Sequence, residues 1–62
     1  MQFHIQNMTC GGCIRSVTKA IRSVDPDAEV SADPGTHKVD VKSDASRERL
    51  TAALTEAGYA PA

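Results

Sequence analysis

Cys10 and Cys13, set in Met8-Thr9-Cys10-Gly11-Gly12-Cys13, are the most reactive pair in this 62-residue chain and its only cysteines. Thiolate, not thiol, is the form that attacks or ligates. Residues 1–24 favour it, because they carry Arg15, Lys19 and Arg22 and no acid. A helix starting at this point would also turn unpaired N–H groups and its positive end toward an anion. Gly11 and Gly12 read as a flexible loop that lets both sulfurs reach one ion without a Cβ clash. Two soft thiolates suit a soft ion of low coordination number, with Cu(I) the leading physiological candidate. A structural zinc site normally takes four protein ligands, and one CxxC falls short of that. Thiol–disulfide exchange is the other chemistry open to such a pair. Against it, no proline stands between the cysteines, no aromatic residue precedes them, and the chain is short for a thioredoxin fold. The plainest reading is two small buried side chains or one disulfide.

The elements that must hold these thiols are legible from periodicity. Gln2 to Gln6 alternate, with Phe3 and Ile5 on one face and His4 and Gln6 on the other, which predicts a strand. From about Gly12 to Val24, Ile14, Val17, Ile21 and Val24 form one helical stripe that Asp25-Pro26 ends. Ala28, Val30 and Ala32 alternate as a second strand. Asp33-Pro34-Gly35-Thr36 then predicts a type II turn with positive φ at Gly35. Lys38 to Lys42 supplies the hairpin partner. Ser46 reads as the N-cap of a second helix carrying Leu50, Ala53, Leu54 and Ala57, with Arg49 where a capping box would want Glu. Gly58 ends it, and Tyr59 to Ala62 leave a stub of a last strand, an edge that tolerates Pro61.

This order predicts an α+β fold, the ferredoxin-like βαββαβ open-faced sandwich. Two helices would cover one face of a four-stranded antiparallel sheet and solvent the other. Phe3, Ile5, Ile14, Val17, Ile21, Val30, Val39, Val41, Leu50 and Leu54 are the expected core. Residues 1–62 read as a single domain. Nine of its apolar residues are alanine, and Ile, Val, Leu and Phe number only eleven, so the core is thin. A net charge of −1 keeps that composition on the folded side of the boundary with disorder. The size excludes an enzyme that must enclose a large substrate. No run approaches the ~20 apolar residues of a membrane span, and no secretory signal opens the chain. One Phe, one Tyr and balanced charge argue against a nucleic-acid surface. What remains is a soluble, cytosolic module.

Met8-Thr9-Cys10-Gly11-Gly12-Cys13 matches the MxCxxC signature of the heavy-metal-associated domain, and the βαββαβ reading agrees along nearly the whole chain. The chain resembles small bacterial copper chaperones and the N-terminal metal-binding domains of copper-transporting P-type ATPases. The resemblance implies a carrier, not an enzyme. Cys10 and Cys13 would hold Cu(I) near-linearly and pass it by thiolate exchange to a partner CxxC. That partner would be a metal-binding domain of a copper-transporting P-type ATPase or a copper-responsive regulator. The expected state is a monomer without metal, with a metal-bridged dimer open to the loaded form. Met8 would be a packing residue, not a ligand. Thr9 stands where Zn(II)- or Cd(II)-selective members often have an acid, which favours Cu(I). Zn(II) or Hg(II) handling by the same pair is the alternative, beside redox chemistry. Met1 at the start argues for a standalone protein against a domain of an ATPase.

Lesser candidates surround the pair. Tyr59 resembles a tyrosine that packs near the metal loop of the bacterial chaperones; packing is its expected main role, with an influence on the bound metal kept open beside it. Counting strand directions puts the Pro34–His37 turn at the cysteine end. His37 is therefore a candidate third ligand, set against a plain solvated turn histidine. His4 should face solvent on the open sheet face. Arg15, Lys19 and Arg22 form a basic stripe, ordinarily a solvated helix face, which in related chaperones meets acidic partners. Asp25, Asp27, Glu29 and Asp33 lack the spacing of a calcium loop and read as solubilising charge.

Overall fold

The computed structural model describes residues 1–9 and 11–62. Its elements run β1 (Gln2–His4), α1 (Gly11–Val24), β2 (Glu29–Asp33), β3 (Lys38–Lys42) and α2 (Arg47–Glu56). β3 lies between β1 and β2, antiparallel to both, giving the order β1-β3-β2. The register aligns Phe3 with Val39, Ala32 with Val39 and Val30 with Val41. Because side chains alternate along a strand, these residues share one face. Gln2, His4, Glu29, Ser31, Asp33, Lys38, Asp40 and Lys42 share the other and are exposed.

Both helices cover the apolar face. Phe3, Ile5, Met8, Val17, Ile21, Ala28, Val39, Val41, Leu50 and Leu54 form one buried cluster. Ile14 and Val30, expected inside, are partly buried at its margin, whereas Met8 and Ala28 are fully enclosed. Ala57, expected on the covered face of α2, is exposed because it is already the helix C-cap. Burying one large apolar side chain contributes about 1.5–3 kcal/mol. A net hydrogen bond contributes about 0.5–1.5 kcal/mol. The helix–sheet seam therefore dominates stability, and the polar contacts mainly shape the ends.

The sheet differs from the four strands expected. Among the described residues it has three, and the stretch 59–62 runs beside β1 without forming a strand. The cause is a shortage of donors. Tyr59 N–H is committed to Leu54 O at 2.8 Å, and Pro61 has no N–H to give. Ala62 N–H does reach His4 O, at 2.7 Å, along the edge a fourth strand would occupy.

The hairpin turn is also different. Gly35 does not take a positive φ; His37 does, at 59°. Asp33 pairs with Lys38, so four residues must reverse the chain, and the left-handed position falls on the last of them. Asp33 Oδ1 accepts from Gly35 N–H at 2.9 Å and closes the start of the loop.

At α2, Ser46 Oγ accepts from Arg49 N–H at 3.2 Å, so the predicted cap forms. The other end is a Schellman motif. Gly58, at φ 91°, donates to Thr55 O at 3.0 Å, while Tyr59 donates to Leu54 O. This reversal returns the chain to the cysteine end and packs the partly buried Tyr59 on the core.

Candidate metal site

α1 starts at Gly11, so Gly11 and Gly12 are helical and not the flexible loop expected of them. One turn more of helix sets Cys13, Val17 and Ile21 at successive i, i+4 positions on one face. Val17 and Ile21 are buried, and Cys13 is half-buried against the same core. A Cβ at Gly11 would meet nothing within 4 Å, so no crowding demands glycine there. The sulfur of Cys13 thus belongs to the first turn of a helix with no acid in that turn. Cys10, the other expected ligand, lies outside the described residues.

Met8 is 0% exposed, which makes it a floor of the core behind the loop. Three bonds fix the chain that leads to it. Ile5 N–H donates to His37 O at 2.8 Å, extending the β1–β3 pairing past His4. Met8 N–H donates to Ile5 O at 3.2 Å and closes a turn over Gln6 and Asn7. His37 Nδ1 lies 3.1 Å from Met8 O. A carbonyl oxygen only accepts, so Nδ1 carries the proton in this contact. The His37 ring also stands 6.1 Å from the exposed His4 ring, tilted by 56°.

The turn containing His37 does lie at the cysteine end, as strand direction predicts. Asn7, which sequence reasoning did not single out, donates from Nδ2 to Gly58 O at 2.8 Å. That bond ties the loop before α1 to the segment carrying Tyr59. Its partners are 51 residues apart, so no local pattern could reveal it. Arg15, Lys19 and Arg22 are exposed along α1, beside a shallow groove that half-buried Ile14 helps to line.

The fold and the Met8–Cys13 signature together define a small metal-carrier class. The family model for the heavy-metal-associated domain matches residues 2–60, and the chain belongs to that family. The chain is 38% identical over 61 residues to copper-transporting ATPase 2 of Rhizobium meliloti (strain 1021). The match takes in 95% of the chain but only 7% of that ATPase. Among solved structures, a gold binding protein is 51% identical with a TM-score of 0.94, covering 98% of this chain and 94% of that one. The copper chaperone Atx1 from Synechocystis PCC6803 is 32% identical with a TM-score of 0.97, covering 100% and 98%.

Proposed function

We propose that this chain carries Cu(I) on Cys10 and Cys13 and hands it by thiolate exchange to a partner with its own CxxC. The observation that carries the reading is the half-buried Cys13 in an acid-free first helical turn, three residues after Cys10. A two-coordinate dithiolate satisfies a soft ion of low coordination number while leaving it open to a third sulfur. An incoming thiolate can then bond before an old one leaves, so the ion is never released. A copper chaperone and a copper-transporting ATPase among the relatives support copper as cargo. They also support an ATPase metal-binding domain as the recipient, with a copper-responsive regulator as the other acceptor. The exposed Arg15–Lys19–Arg22 stripe would face acids on that partner. This is transport work, not catalysis, in a cytoplasmic setting.

A second reading has its own observation. The 51% identity to a gold binding protein favours Au(I), another soft monovalent ion, on the same two sulfurs. Competition titrations with Cu(I), Au(I), Hg(II) and Zn(II) against one chelator series separate these readings. Copper carriage predicts one Cu(I) per chain, held in preference to Zn(II); preference for Au(I) over Cu(I) would transfer the assignment to gold.

A further inference from the structure

His37 combines two features in the hairpin loop. It holds a positive φ of 59°, a left-handed conformation uncommon for residues other than glycine, though His, Asn and Asp are enriched in it. Both its backbone and its ring are used by another segment. Its carbonyl accepts from Ile5 N–H, and its Nδ1 contacts Met8 O. These two bonds bracket the turn between Ile5 and Met8, whose own closing bond is the long one at 3.2 Å. Beyond Met8 only Thr9 precedes Cys10.

We propose that His37 is a positioning residue for the metal loop: by donating Nδ1–H to Met8 O it clamps the chain two residues before Cys10. This rests on the reading of Cys10 and Cys13 as ligands, and it gives the histidine a role other than ligation. An ion shared by Cys13 on the helix and Cys10 just before it requires the chain leading into the helix to be ordered. Ordering done in advance by the fold is not charged against binding. The β2–β3 hairpin, which carries no sulfur, thereby sets how tightly the thiol pair holds its ion. With this left-handed backbone at position 37, the ring lies against the neighbouring loop at Met8 O.

Two substitutions isolate the bond from the backbone. His37→Gly and His37→Asn both tolerate positive φ. Only Asn keeps a nitrogen at the δ position that can donate to Met8 O, and it has nothing equivalent to Nε2. Cu(I) affinity would be measured by chelator competition for the native chain and both variants, beside melting curves without metal. The clamp predicts about fivefold weaker binding in His37→Gly, the equilibrium equivalent of one net hydrogen bond, with most of it restored in His37→Asn. Equal affinity in all three proteins overturns it. So does His37→Asn falling as far as His37→Gly, which would assign the effect to the rest of the ring. Failure of the native chain to bind Cu(I) would instead overturn the carrier reading.

Discussion

The two ends of the molecule are closed in different ways. At the end away from the cysteines, the corners after α1 and after β3 are locked to each other. Ser43 Oγ donates to Asp25 Oδ2 at 2.6 Å, and Asp27 N–H donates to Asp25 Oδ1 at 3.0 Å. Ser43 Oγ accepts in turn from Ala45 N–H at 3.0 Å, and Ser46 caps α2 just beyond. Arg47 sits over the buried Phe3 ring, 4.5 Å from its centroid. At the cysteine end two long-range side-chain bonds go to backbone: His37 to Met8 O and Asn7 to Gly58 O. Gly11 and Gly12 are exposed there, and Cys13 is half-buried. One end thus spends its polar groups on joining corners, and the other uses backbone carbonyls to hold a surface loop. A domain whose core is thin can do both because the seam of helix on sheet holds them together.

That contrast predicts separable effects. The largest is at the thiols: Cys13→Ser should abolish tight one-to-one Cu(I) binding, read by chelator competition, while the metal-free melting curve stays close to native. Next comes the shared core, where Leu50→Ala should cost about 2–5 kcal/mol in denaturant unfolding. Whatever fraction remains folded should still bind the ion, since Leu50 belongs to the scaffold. Loss of binding in a folded Leu50→Ala protein would erase the distinction between seam and site.

A smaller change is expected at the far end. Ser46→Ala removes the hydroxyl that accepts from Arg49 N–H and should cost about 1 kcal/mol, with Cu(I) affinity unaltered. The smallest effect concerns acid. The Ser43 hydroxyl, then Asp27 N–H, hold the Asp25 carboxyl below the usual aspartate value; burial opposes them, and Asp44 N–H adds a lesser lowering. A folded-state value below the unfolded one means this contribution is present above about pH 3.9 and is lost as pH falls further. Asp25→Asn should therefore lower stability at neutral pH and make the acid-induced loss shallower, followed by the unfolding midpoint against pH.

Much of this was legible in local pattern. Alternation placed Phe3, Ile5, Val39 and Val41, and the i, i+3, i+7 stripe placed Val17 and Ile21, because burial of one face imposes those periods on the chain. Ser46 and Gly58 announced the ends of α2 through groups that only a helix terminus needs. What pattern could not carry was anything decided across the fold. The positive φ moved from Gly35 to His37 because strand register, not the turn dipeptide, fixed the loop length. The fourth strand failed because the Schellman motif had already used Tyr59 N–H and Pro61 had none. The two glycines became helical because packing drew Cys13 onto the line of Val17 and Ile21. The contact from His37 to Met8 spans 29 residues and follows from topology alone. For the candidate site, the spacing of Cys10 and Cys13 pointed to thiolate chemistry, and the hairpin's contact with Met8 became visible only in three dimensions.

On this reading two sulfurs of one chain hold the cargo. X-ray absorption at the copper edge of the protein loaded with one equivalent of Cu(I) tests it most directly. The expected shell is two-coordinate and sulfur-only, and it is unchanged in His37→Asn. A nitrogen in the shell that disappears with His37, or four sulfurs contributed by two chains, would contradict it.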